Sequence, residues 1–120
     1  MTQTFTQREV NNIVEEARIE AHQAANTYFA LTMNGYDGGA CGFAWVNIYE
    51  HNGKKIAGNT KLGKMLKAAG VRQDHTRAFQ IWNPSGHRCQ NGNTLDAGAD
   101  AAAKVFKRYG FTAYAFSRMD

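Results

Sequence analysis

The sequence predicts an α+β fold with the order α-β-α-β-α-β, in which a three-stranded sheet is flanked by helices and the first helix is long. Apolar residues recur at helical spacing in three stretches, and runs rich in aromatic and β-branched residues lie between and after them. The length gives a third indication. With 120 residues, 43% of them hydrophobic, the chain can form one hydrophobic core, which predicts a single domain over residues 1–120.

The first helix has strong local signals at both ends. Thr6 followed by Glu9 forms a capping box, and Phe5 can pack on Val10 as a hydrophobic staple. Apolar residues then recur at helical spacing as far as residues 34–35, an Asn-Gly pair that is typical of a helix end. The beginning and the end of this helix can therefore be predicted from neighbouring residues alone.

The predicted length of this helix limits how it can pack. A helix over residues 7–33 would be about 40 Å long, whereas a domain of this size should be only about 35 Å across. The helix therefore either straps the whole body or projects to meet a partner. Its stripe of small apolar residues suits close helix–helix contact, so we expect a homo-oligomer to assemble through it, with an interface containing Val10, Ile13, Ala17 or Ala21.

The middle of the chain contains two strands and a helix. Residues 41–49 have apolar side chains on both faces of a strand, which predicts a central strand covered on both sides. A helix capped by Asn59 or Thr60 follows and ends at Gly70. A second strand over residues 78–83 then stops at the chain's single proline.

The last quarter of the chain predicts a helix and a closing strand. The helix over residues 95–109 has acidic residues near its start and basic residues near its end, which complements the helix dipole. The strand over residues 111–118 alternates and should be less buried. Because helices connect the three strands, we expect parallel neighbours joined by right-handed crossovers.

Charge is unevenly distributed along the chain. The net charge is +4, but residues 51–90 have eight basic side chains and one acidic side chain, and residues 1–50 have two basic and six acidic side chains. A basic middle third either attracts a polyanion or neutralises the acidic first helix. No apolar run approaches the roughly 20 residues of a membrane span. With no signal-peptide pattern and only two cysteines, we expect a cytoplasmic protein.

Two loops are the strongest candidates for a binding site. If the first two strands are parallel, the loops 51–60 and 83–94 meet at one edge of the sheet, where open α/β folds tend to bind ligands. Each loop leads into a helix whose first N–H groups can bind an anion. We therefore predict a site for a nucleotide or nucleic acid, with no catalytic residue, metal or cofactor, formed by Lys54, Lys55, Asn59, Thr60, Ser85, His87 and Arg88.

Two related signals are weaker. Residues 53–60 have the glycine spacing of a P-loop, but Asn59 stands where the phosphate-binding lysine should be, which argues against a nucleotide triphosphatase. Trp82 and Phe79 lie among basic residues and could stack on bases. We favour the alternative that both are core residues of the second strand.

Cys41 offers a competing, enzymatic interpretation. The stretch DGGACGFAW resembles the cysteine neighbourhood of papain-fold peptidases of the NlpC/P60 type, in which a histidine on a later strand activates the thiol. That resemblance implies His75 or His87 as the partner. However, Gly42 follows the cysteine directly, and Cys41 opens a strand rather than a helix. We therefore favour a buried structural thiol at Cys41. The spacing of His87 and Cys89 lacks the second ligand pair of a zinc site.

Four stretches carry a broader resemblance. CGFAWV, GNTKLGK, WNPSG and AYAFSRMD resemble a group of small proteins encoded by bacteriophages and marine viral sequences, a group with no established activity. The resemblance implies a viral accessory protein acting in the cytoplasm of a bacterial host. It assigns no residue a role.

Overall fold

The computed structural model describes residues 4–89 and 91–119 and confirms an α+β fold with a long N-terminal helix. Within these residues there are three helices and four strands. The helices are α1 (Gln7–Leu31), α2 (Lys61–Ala68) and α3 (Gly92–Arg108), and the strands are β1 (Gly42–Tyr49), β2 (Arg72–Gln73), β3 (Phe79–Trp82) and β4 (Thr112–Met119).

The sheet differs from the prediction in strand number and direction. It has four strands in the order β2-β3-β1-β4, and every neighbouring pair is antiparallel. The missing strand was β2, whose two residues are too few to give a period-2 signal. The prediction of parallel neighbours is therefore wrong.

The cause of this error lies in the hairpin formed by β2 and β3. Each longer helix-containing connection does join two strands that run the same way, since α2 leads from β1 to β2 and α3 leads from β3 to β4. The hairpin folds the chain back between these two units, so β3 is inserted between β2 and β1, and β1 between β3 and β4. Helical crossovers therefore join strands that are never neighbours in this sheet.

Helix α1 begins as predicted and lies along the body. Thr6 Oγ1 accepts a hydrogen bond from the Glu9 N–H at 3.2 Å, and Glu9 Oε1 accepts one from the Thr6 N–H at 2.9 Å, which completes the capping box. The helix ends at Leu31, two residues before the predicted end. The molecule measures 43 × 26 × 22 Å, so a helix of about 37 Å spans nearly its full length.

The apolar stripe of α1 faces the protein's own core. The four residues proposed for an interface between copies, Val10, Ile13, Ala17 and Ala21, are all buried within the chain. An oligomer contact through these residues is therefore ruled out in the folded protein, because the stripe already packs against the sheet and α3.

All three helices pack on one face of the sheet. The main core cluster joins residues of α1, α2 and α3 to the inward-facing side chains of the strands, including Val46, Ile48, Phe79 and Ile81. In the described part of the chain, no helix covers the other face, so the prediction that β1 is covered on both sides is wrong. None of the described helices combines the length and hydrophobicity needed to cross a bilayer.

Candidate functional site

The two predicted binding loops lie at opposite ends of the sheet. The loop 51–60 leaves β1 at the end where Ile48 pairs with Phe79, the first residue of β3. The loop 83–94 leaves β3 at the other end, where Trp82 pairs with Trp45. Because β1 and β3 run in opposite directions, these loops do not meet at a common edge, and the structure does not bring the seven predicted site residues together.

The first group of predicted residues surrounds the start of α2. Lys55 Nζ donates a hydrogen bond to the Thr76 carbonyl at 2.7 Å, and Lys55 and Asn59 line a surface basin. Thr60 is the N-cap of α2, since its Oγ1 accepts from the Gly63 N–H at 3.1 Å. The side chain of Thr60 therefore has a structural role, while that of Lys54 is exposed to solvent.

The second group is tied into the packing between the 83–94 loop and α1. Ser85 is buried, its Oγ donates to Asn83 Oδ1 at 3.1 Å, and its carbonyl lies 2.9 Å from His22 Nδ1. Gly98 of α3 packs against it so closely that an added Cβ would lie 2.7 Å from Ser85 Cβ. Ser85 is therefore a packing residue in this loop, whereas Arg88 is exposed.

His87 occupies a partly buried position beside α1. Its ring lies 5.0 Å from that of Phe29 and 6.4 Å from that of His22, and its Nδ1 accepts a hydrogen bond from the Cys89 N–H at 3.2 Å. Burial lowers the pKa of His87, and the nearby His22 lowers it further, while Asp37 opposes both. The environment therefore favours the neutral ring.

The surroundings of the two cysteines do not match those of a catalytic thiol. Cys41 is exposed at the start of β1, so the prediction of a buried thiol there is wrong. His75 lies in the β2–β3 turn, at the opposite end of that strand. His87 already uses Nδ1 as an acceptor for a backbone N–H. Cys89 is buried, and this burial raises the pKa of its thiol, which makes it a poorer nucleophile. In the part of the chain that the structure describes, no three His, Cys, Asp or Glu side chains are grouped to hold a metal ion.

The uncovered face of the sheet carries a continuous row of aromatic side chains. We call it the aromatic face and define it by Phe43, Trp45, Tyr49, Trp82, Tyr114 and Phe116. Strand register explains why they meet: Trp45 of β1 lies opposite Trp82 of β3 on one side and opposite Phe116 of β4 on the other.

The centre of the aromatic face is a stack of three rings. The rings of Trp45 and Trp82 are 5.3 Å apart and nearly parallel, at 9°, and those of Trp45 and Phe116 are 5.9 Å apart at 21°. Trp82 is 55% exposed and Phe116 is 42% exposed. The stack therefore keeps much of its aromatic surface in contact with solvent.

Polar groups lie next to these rings. Asn47 pairs with Gln80 across the strands, and Gln80 Nε2 donates to Asn47 Oδ1 at 3.3 Å. These two amides, the three stacked rings, and Asp74 and His75 of the β2–β3 turn border a concavity of about 370 Å³. Its volume falls in the range of small-ligand sites, about 300–1,000 Å³.

Arginines border the aromatic face. Arg72 of β2 lies opposite Gln80, and Arg118 of β4 lies opposite Phe43. Arg72 and Arg18 of α1 also line a smaller cavity that includes Trp82. The rings are thus flanked by cationic side chains at two edges of the sheet.

Two of the four glutamates of α1 are paired with a cation from outside the basic middle of the chain. Glu16 and Glu20 both form ion pairs with Arg108 at the end of α3, the first at 3.4 Å. These two carboxylates are therefore neutralised by a residue that lies outside residues 51–90.

Sequence reasoning missed the aromatic face because apolar residues on both sides of β1 were interpreted as two buried faces. One parity of β1 carries Phe43, Trp45 and Tyr49, and the other carries smaller aliphatic residues. A signal was present, since Asn47 shares the aromatic parity and the closing strand alternates. Trp82, which was favoured as a core residue, is exposed, whereas Phe79 is buried as expected.

Comparison of the chain with protein-family models, with curated proteins and with solved structures gave no match.

Proposed function

We propose that this protein binds single-stranded nucleic acid, whose bases stack on the aromatic face. The observation that carries the proposal is the Trp82–Trp45–Phe116 stack on the uncovered side of the sheet. Stacking on exposed aromatic side chains is the common way in which sheet proteins hold unpaired bases. The proposed partner keeps the phosphate-bearing class predicted from the sequence and moves it to a different surface.

Folding alone does not explain why the aromatic face is exposed to solvent. Contiguous exposed apolar patches are uncommon on monomeric proteins and usually mark an interaction surface. The inward-facing residues of the same strands already form the core, so the fold does not need large rings on the outer face. Six aromatic side chains in contact there indicate a surface that is used for binding.

The surroundings of the rings favour nucleic acid over an apolar protein partner. Arg18, Arg72 and Arg118 can contact phosphates, and the amide of Gln80, which is only partly buried, can reach a base edge. A single strand of nucleic acid presents both phosphates and unpaired base edges to this surface. This activity would suit a viral accessory protein in a bacterial host.

Tryptophan fluorescence gives a direct test. The chain has two tryptophans, and both are on the aromatic face, so quenching by an oligothymidylate of about ten nucleotides would report contact there. Trp82→Ala should weaken binding by about tenfold, measured by anisotropy of a labelled strand, because stacking contributes about 1–3 kcal/mol per base.

Tyr36→Ala is the matched control. Tyr36 is 73% exposed but lies in the loop before β1, outside the aromatic face, so its removal should leave the affinity unchanged. The same strand annealed to its complement should bind more weakly, because paired bases are stacked on one another. Equal losses for Trp82→Ala and Tyr36→Ala, or equal affinity for the duplex, would contradict the proposal.

A further inference from the structure

A basic basin lies beyond the end of the sheet where β1 and β2 finish and β3 begins. It has a volume of about 570 Å³ and is bounded by the β1–α2 loop, by α2 and by the β2–β3 turn. Three cationic side chains line it: Lys55, Lys67 and Arg77. Among the described residues that line the basin there is no aspartate or glutamate, so its local charge is +3.

In the basin, the backbone of Gly58 lies close to the ammonium group of Lys67. A Cβ added at Gly58 would lie 2.8 Å from Lys67 Nζ and 2.7 Å from Gln73 Oε1. A side chain at position 58 would therefore displace the ends of Lys67 and Gln73. Lys55 is held at the wall by its hydrogen bond to the Thr76 carbonyl, so this cation has a defined position, and the Lys67 ammonium lies beside the Gly58 backbone.

The basin and the aromatic face share a wall. Asp74 and His75 of the β2–β3 turn border the concavity beside Trp45 and Trp82, and the next two residues of the same turn, Thr76 and Arg77, line the basin. A strand whose base contacts the stacked rings can therefore place another of its phosphates in the basin by crossing this turn.

The single acidic residue of this turn is engaged by the turn itself. Asp74 Oδ1 accepts hydrogen bonds from the Thr76 N–H at 2.7 Å, from Thr76 Oγ1 at 2.6 Å and from the Ala78 N–H at 3.0 Å. Burial raises the pKa of Asp74, but these hydrogen bonds outweigh it and hold the pKa below its ordinary value. The carboxylate thus stabilises the wall between the two sites and does not line the basin.

We infer that the basin holds a phosphate group of the strand whose bases stack on the aromatic face, an inference that rests on the function proposed above. Three cations around a concavity suit a phosphate, because lysine and arginine donate charge-assisted hydrogen bonds to its oxygens. Lys55 and Asn59, which the sequence predicted as ligand residues, belong to this site, together with Lys67 and Arg77.

The salt dependence of binding tests the inference. Each phosphate neutralised on a single strand contributes about −0.7 to the slope of log K against log salt concentration. Lys67→Ala should therefore weaken binding of the same oligothymidylate and make the slope shallower by about 0.7. Lys104→Ala removes an equal charge from the exposed side of α3, in the helix layer, and should leave the slope unchanged.

A second variant tests whether the basin must be open, without changing any charge. Gly58→Ala should narrow the basin and weaken binding, and the protein should still fold because the atoms that the new Cβ meets are the ends of two flexible side chains. In nuclear magnetic resonance spectra, the oligothymidylate should shift the amide signals of Gly58, Asn59 and Thr76. Strands with and without a 5′-phosphate distinguish a terminal phosphate from an internal one, and either result supports the inference.

The outcomes separate this inference from the proposed function. If the strand quenches tryptophan fluorescence but Lys67→Ala leaves the slope unchanged and the basin amides do not shift, the inference is overturned and the function stands. If the strand does not bind, both are overturned. Shifts produced by inorganic phosphate alone would then indicate an anion site that is unrelated to nucleic acid.

Discussion

The two faces of the sheet are built from the same strands but have opposite roles. On the inner face, Val46, Ile48, Phe79 and Ile81 are buried under three helices. On the outer face, the alternate residues of those strands include large aromatic side chains, and Trp82 and Phe43 remain exposed. Hydrophobicity alone therefore does not distinguish a core residue from a binding residue in this protein. The position of the helices does.

This difference can be tested most strongly by comparing Phe79 with Trp82, which lie three residues apart on β3. Phe79→Ala should lower the free energy of unfolding by about 3–5 kcal/mol, because it opens a cavity in a closed core. Trp82→Ala should lower it by only about 1 kcal/mol, through the lost ring contact with Trp45.

Urea unfolding followed by circular dichroism measures both values. Oligonucleotide binding should show the reverse order, with a loss for Trp82→Ala at protein concentrations and temperatures where Phe79→Ala remains folded and binds normally. Similar stability losses for the two variants would mean that the outer face is as important for folding as the inner face.

A smaller effect is expected where the helix layer closes over the 83–94 loop. Gly98→Ala would place a Cβ 2.7 Å from Ser85 Cβ and 3.2 Å from the Ala21 carbonyl oxygen of α1. We expect a destabilisation of about 1–2 kcal/mol despite the better helix propensity of alanine, because overpacking forces neighbouring atoms apart. The midpoint of thermal unfolding would show it.

The double variant Gly98→Ala with Ser85→Gly provides the control. Removing the Ser85 side chain relieves the closer of the two contacts, so the second substitution should cost less in the Gly98→Ala background than in the wild-type protein. Additive losses would show that the close approach of α3 to this loop does not limit stability. Binding on the outer face should be unaffected in every variant.

The smallest expected effect is the pH dependence of stability that His87 causes on the helix-covered side of the sheet. The native pKa of His87 lies below its unfolded value of about 6.5, so the unfolded chain binds more protons in this range. His87 therefore contributes stability that is present above about pH 6.5 and is lost as the pH falls toward the lower native pKa. Protonation at Nδ1 would also remove the acceptor of the Cys89 N–H bond.

His87→Asn tests this effect, since asparagine keeps a side-chain acceptor near the position of Nδ1 without a group that titrates in this range. Between about pH 7.5 and pH 5.5, the melting temperature of the wild-type protein should fall more than that of the variant. Parallel curves for the two proteins would exclude His87 as a source of pH-dependent stability.

Local sequence signals determined several parts of this structure. The capping box at Thr6 fixed the start of α1, and the helical spacing of apolar residues placed all three helices. For α2 the sequence offered Asn59 or Thr60 as the cap, and Thr60 is the one used. The α+β class and the buried position of Phe79 also followed from the sequence. These features depend on contacts between residues that are close in the chain, so their signals are local.

Strand order, strand direction and the identity of the exposed face were decided only by the tertiary structure. A two-residue strand, β2, turns the chain into a hairpin, and this hairpin makes every neighbour antiparallel and separates the loops 51–60 and 83–94. Whether Trp45 and Trp82 are covered depends on which side of the sheet the helices occupy. That choice is made by contacts between residues far apart in the chain, and no short stretch of sequence records it.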